Sequence, residues 1–214
     1  MPGDLQEELL KLGRIFLAEK HFEGCNGLAL TEEMRVILAT HACLPMLGRD
    51  FDYFPYLQTV LVYPEAFVVE HEREDEFGIV DAEPDVLEGE SWHAGAVIFS
   101  WEDVAYDLSA LDGRNVIVHE MAHQVHDHED LTLDTPEATA QFHDILADEF
   151  ETHVDRVSRR KKTLIDPYGA EDPAEFFSVI SEAFYESPAA LRSGHPGLYA
   201  GLRAFYGVDP EGWK

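Results

Sequence analysis

The run Asn115-Val-Ile-Val-His-Glu-Met-Ala-His-Gln-Val125 decides how the rest of this chain is read. Wound as a helix, it stacks His119 and His123 one turn apart on one face, so that two imidazoles can reach a single zinc ion while Glu120 stands beside them. Such a pattern points to metal-assisted hydrolysis, with the glutamate taking the proton of a zinc-activated water. Two histidines at this spacing also recur by chance, so the flanking sequence has to support the helix. Val118, Met121, Ala122 and Val125 fall at i, i+3, i+4 and i+7 and form a core-facing stripe beside the histidines. Asp112-Gly113 and Asn115 supply start signals just before it. The competing reading is an ordinary amphipathic helix with two incidental histidines.

A hydrolytic zinc site needs three protein ligands and one open position. His126 lies on the same face, but it is seven residues from His119, about 10 Å along a helix axis, too far for both to grip one ion with His123. The stretch Asp172-Pro-Ala-Glu-Phe-Phe-Ser-Val-Ile-Ser-Glu-Ala-Phe-Tyr-Glu186 offers more. Asp172 reads as an N-cap, Pro173 as the first helical residue and Glu175 as the far end of a capping box. Phe176, Val179, Ile180, Ala183 and Phe184 form a buried stripe. Glu182 stands mid-helix at the margin of that stripe, where a carboxylate is costly unless a cation such as zinc compensates it. Glu186, one turn on, is expected to accept a hydrogen bond from a ligating imidazole.

The chain has 214 residues, enough for one well-filled core, and we read it as a single domain over 1–214, with N-terminal helices and a small sheet in 1–110 and the two site helices in 111–214. No stretch approaches the roughly 20 apolar residues of a membrane helix. The Met-Pro-Gly-Asp-Leu start lacks a secretory pattern, so the expected location is cytoplasmic. Cys25 and Cys43 read as free thiols. A net charge of −28, from 43 acidic and 15 basic side chains, argues against nucleic acid, whose phosphates need Lys and Arg. Ten carboxylates with only Arg73 between Glu70 and Glu90 suggest a solvated loop. Arg156, Arg159, Arg160, Lys161 and Lys162 read as the wet end of a helix or as a docking patch for an acidic partner.

Leu5, Leu9, Leu12 and Phe16 predict an amphipathic first helix, and Thr31 caps a second whose course Pro45 kinks or shortens. Thr59-Val-Leu-Val-Tyr63, with Phe67-Val-Val69 extending or pairing with it, and Ala96-Val-Ile-Phe-Ser-Trp101 read as strands. If the latter is an edge strand near the metal, it can pair with an extended peptide substrate. From Asp103 onward the pattern is helical: a long segment from Thr139 to Val157, a turn at Asp166-Pro-Tyr-Gly169, and helices near 173–186 and 197–206. The fold class is α+β, mainly helical, with a small mixed sheet.

The Asn115–His123 run, the Asp172–Pro188 segment, Phe22-Glu-Gly-Cys-Asn-Gly-Leu28, the Thr31–Leu47 helix and Leu198-Tyr-Ala-Gly-Leu-Arg-Ala-Phe-Tyr206 together resemble the Mlc titration factor A family of zinc-dependent peptidases. The resemblance implies a zincin-like domain of the gluzincin type, related in its catalytic part to anthrax lethal factor, with HExxH on the active-site helix. It implies Zn²⁺ held by His119, His123 and Glu182, the last carried over because Ser-Glu-Ala-Phe matches the family's ligand segment. It also implies cytosolic location, aminopeptidase-like cleavage of small peptide substrates and, in some members, binding of a glucose-responsive transcriptional repressor.

The expected function is therefore a zinc metallopeptidase with Glu120 as general base. Tyr168 is the first choice for steadying the oxyanion, with Tyr185 or His195 as alternatives. The alternative function is a zinc-stabilised regulatory protein that binds a transcriptional repressor and hydrolyses little.

Overall fold

The computed structural model describes residues 1–48, 54–65, 67–74, 80–87, 89–92, 95–110, 113–128 and 131–213. Helix α1, Gly3–Glu19, buries Leu9, Leu12 and Phe16, the stripe its periodicity predicts. It leads into β1, His21–Gly24. The Thr31 hydroxyl accepts from the Met34 backbone N–H and starts α2, Glu32–Ala42. Pro45 ends up in a 3₁₀ turn, Leu44–Met46, so it shortens the helix rather than kinking it.

Strand β2 is Thr59–Tyr63, β3 Phe67–Glu74, β4 Val80–Leu87, β5 Gly89–Trp92 and β6 Ala96–Ser100. The main sheet has the order β1-β2-β6-β5, with β1, β2 and β6 parallel and β5 antiparallel to β6. Three expectations change here. The run Phe67-Val-Val69 neither extends nor pairs with β2; it lies in β3, which pairs with β4 in a separate two-stranded sheet. Ala96–Ser100 lies inside the sheet, flanked by β2 and β5, so it is not an edge; Val97, Ile98, Phe99 and Ser100 are all buried, as suits a strand covered on both faces. The acidic segment is not simply a loop, since β3 and β4 pair antiparallel with Glu70 opposite Pro84. Pairing satisfies the backbone N–H and C=O groups that the two strands turn toward each other, whatever the side-chain charge. Residues 75–79 and 88, also part of the expected loop, lie outside the described residues.

Ser100 accepts from the Asp103 N–H and turns the chain into α3, Trp101–Ala110, so Trp101 begins a helix instead of ending a strand. Helix α4, Val116–His128, packs against α2, α3, β5 and β6. Its expected stripe, Val118, Met121, Ala122 and Val125, is fully buried. Helix α5, Pro136–Ser158, is capped by Thr135 and begins a turn earlier than its sequence pattern suggests. A 3₁₀ turn at Pro167–Ala170 precedes α6, Pro173–Glu186. Helices α7, Pro188–Gly194, and α8, Pro196–Tyr206, complete the core. Helix α6 is buried without interruption from Phe176 to Tyr185 and lies along α4. The N- and C-terminal halves meet at Gly48 and Gly207, both at positive φ; a Cβ on Gly207 would sit 2.4 Å from the Gly48 carbonyl oxygen, so only glycine permits this approach. The result is a mostly helical fold with a small mixed sheet, and no helix among the described residues is long and apolar enough to cross a membrane.

Candidate metal centre

Asn115 is the N-cap of α4, its Oδ1 accepting from the Val118 N–H at 3.1 Å. The Val116 N–H is satisfied by Asp107 Oδ2 at 2.8 Å. Asp112, the other expected start signal, lies outside the described residues. From this anchored start His119 and His123 project on one face, with Nε2 atoms 3.2 Å apart.

Helix α6 supplies two carboxylates to the same imidazole. Nδ1 of His119 donates to Glu182 Oε1 at 2.8 Å, and Nε2 faces Glu175 Oε2 at 3.1 Å. Glu175 Oε2 also lies 3.4 Å from His123 Nε2. Ligand atoms of His119, His123 and Glu175 all fall within 4.8 Å of one another, a spacing that can hold a metal ion. Glu182 sits behind His119, its second oxygen accepting from the Asn115 backbone N–H at 2.6 Å.

Glu175 thus does not close a capping box. Asp172 caps α6 through bonds from the N–H groups of Ala174 and Glu175, while the Glu175 carboxylate turns to the histidines. Nor does Glu186 reach an imidazole of the pair: Glu182, one turn earlier, takes Nδ1 of His119, and Glu186 accepts from Asn115 Nδ2 at 2.6 Å. The same Nδ2 lies 2.9 Å from Nδ1 of half-buried His41; an amide nitrogen can only donate, so Nδ1 accepts, in keeping with a pKa that burial lowers. Asn115 was legible as a cap; its role as the hub joining His41, Glu182 and Glu186 was not.

Electrostatics follow from these contacts. Burial works against a charge on His119, but hydrogen bonds to Glu175 and Glu182 outweigh it and raise its pKa to about 10. Glu175 is the reciprocal case: burial raises its pKa, but bonds to His119 and His123 outweigh burial and bring it down to about 2. Glu120 is 4% exposed with Oε2 lacking a partner, and burial, opposed by the two histidines, lifts it to about 7. The Tyr168 ring is 6.0 Å from that of His119 and its hydroxyl bonds Glu175; burial and neighbouring carboxylates raise its pKa. His126 stands outside the cluster against Phe177. Tyr185 is buried among Phe184, Tyr206 and Trp213, and His195 pairs with Glu149.

The model of the glucose-regulated metallo-peptidase M90 family matches residues 1–207. An uncharacterized protein of Synechocystis is 37% identical over 204 residues, 92% of this chain and 74% of that protein. Mlc titration factor A of Serratia proteamaculans is 33% identical over 216 residues, covering 96% and 80%, and that of Cronobacter sakazakii 33% over 218 residues, covering 98% and 82%. A match over nearly the whole chain, on a fold whose two central helices bring His119, His123 and Glu175 together, places the chain in the glucose-regulated metallo-peptidase M90 family.

Proposed function

We propose that the chain is a zinc-dependent peptidase whose ion is held by His119, His123 and Glu175, with Glu182 orienting His119 from behind. The observation that carries this reading is the division of the His119 ring: Nδ1 is engaged by Glu182 and Nε2 points toward His123 and Glu175. A carboxylate on the far nitrogen of a histidine is how proteins orient a metal-ligating imidazole. Two imidazoles and one carboxylate form a donor set that suits zinc and leaves a position open. Glu175 thereby replaces Glu182 as the proposed third ligand.

When bound, the metal supplies a Lewis acid for the scissile carbonyl and lowers the pKa of water. Glu120 accepts the water's proton and delivers it to the leaving amine; its unpartnered Oε2 and near-neutral pKa suit both transfers. Tyr168, half-exposed beside the cluster, is the proposed donor to the developing oxyanion. Strand β5, which is an edge of the sheet and packs near α4, is the proposed rail for an extended peptide. Aminopeptidase-like cleavage and a cytoplasmic setting belong to the same reading.

A second reading is favoured by the name of the relatives, Mlc titration factor A, which speaks of titration and not hydrolysis. Under it the metal centre stabilises a surface that binds a transcriptional repressor. One experiment separates the two: metal content and hydrolysis of aminoacyl and short-peptide substrates, measured for the native chain and for Glu120→Gln. The peptidase reading expects native turnover that the variant abolishes while keeping about one zinc per chain; no native turnover with zinc bound supports the binder instead.

A further inference from the structure

Away from the metal centre, α5, residues 163–165 and the junction of α7 with α8 enclose a cavity of about 250 Å³. Its polar lining includes Thr152, His153, Arg156, Thr163 and His195. With 43 acidic side chains for 15 basic ones, cations are scarce on this protein. Arg159 is engaged by Asp155 at 2.6 Å, Arg203 by Asp209 at 3.2 Å, and Arg192 by Glu211. Arg156 makes no such ion pair among the described residues.

The two histidines are held from their outer edges. His153, 4% exposed, donates from Nε2 to the Asp166 carbonyl oxygen at 3.0 Å, which leaves Nδ1 as an acceptor. His195 donates from Nδ1 to Glu149 Oε2 at 2.8 Å, which leaves Nε2 as its other ring nitrogen. Burial holds the His153 pKa below its usual value, and the Arg156 charge adds to that lowering. The nearby carboxylates already have work: Glu149 holds His195, and Asp166 accepts from the Tyr168 N–H at 2.9 Å. Arg160, Lys161 and Lys162 follow at the end of α5 and add to a positive field in an otherwise acidic molecule.

We propose that this cavity binds a small oxyanion carrying a hydroxyl, a phosphate or a hydroxycarboxylate. Arg156 pairs with the oxyanion, Thr152 and Thr163 donate their hydroxyls, and His195, whose Nδ1 is held by Glu149, presents Nε2 to the ligand. His153 Nδ1 accepts from the ligand's hydroxyl. A guanidinium in a partly enclosed site is suited to such an anion because its fork matches two oxygens at once.

The test is a ¹⁵N NMR titration of the zinc-loaded chain with inorganic phosphate and, separately, with malate, each at constant ionic strength set by chloride. Saturable shifts of the His153 and His195 ring resonances with at least one anion are expected; which anion saturates identifies the ligand class. Arg156→Gln, an exposed change, should raise the apparent Kd at least tenfold, whereas Arg159→Gln should leave it within twofold. Shifts that fail to saturate, or a Kd unchanged in Arg156→Gln, overturn the proposal; the latter result would put the anion at the metal centre or on the surface.

Discussion

Glu182 holds His119 from behind: its Oε1 accepts from Nδ1 at 2.8 Å while its Oε2 is pinned by the Asn115 backbone N–H at 2.6 Å. The two carboxylates of α6 should therefore respond differently to removal. Glu175→Ala is expected to lose stoichiometric zinc. Glu182→Gln should keep the ion but bind it roughly 10–100-fold more weakly, the range for loss of an orienting partner. Chelator-competition titration of both variants checks this, and the opposite ranking would return the third-ligand role to Glu182.

Glu120→Gln keeps the shape of the buried side chain and removes its basicity. Turnover is expected to fall by about 10²–10⁴, the usual contribution of a positioned base, with zinc content unchanged. Steady-state kinetics beside elemental analysis gives the answer, and loss of metal in this variant would show a structural role for Glu120.

In the metal-free chain His119 has a pKa raised to about 10, so a metal must displace its proton at neutral pH. Zinc affinity should rise with pH between about 6 and 9, by up to tenfold per unit for one displaced proton, with proton release visible in a weakly buffered titration. The linkage for the metal-free chain has the same origin. A folded pKa above the unfolded value of 6.5 contributes stability that is complete below pH 6.5 and is lost as pH rises through about 10. Glu175, depressed to about 2, contributes stability present above pH 4.5 and lost as pH falls through about 2. Thermal unfolding of chelated protein should therefore show a Tm that declines above pH 6.5, a decline that Glu182→Gln, which removes one source of the His119 shift, makes shallower.

Gly207 has φ +69° at the end of α8, and the space a Cβ would need holds the Gly48 carbonyl. Gly207→Ala should destabilise the fold by more than the ~1–2 kcal/mol of left-handed backbone alone. Urea unfolding measures it; a midpoint equal to that of the native chain would show that the two turns can separate at no cost.

Much of the fold was legible because it is local. The stripe on α4, the caps at Thr31, Asn115 and Asp172, and the β-branched run of β2 each declare themselves within a few residues. Strand β1 did not, because His21-Phe-Glu-Gly24 carries no such run and becomes a strand only by pairing with β2.

The sequence by itself determined that His119, Glu120 and His123 share one anchored helix and that a second helix brings carboxylates to it. It pointed to Glu182 as the ligand and gave Glu175 to a capping box. Helix periodicity cannot make that choice, because the two are seven residues apart, nearly two full turns, and so lie on the same face of α6 about 10 Å from each other along its axis. Only the packing of α6 along α4 set Glu175 against Nε2 and Glu182 against Nδ1 of one imidazole. Membership of the β6 strand in the sheet interior was decided the same way, by hydrogen bonds to β2 and β5 that no local pattern encodes.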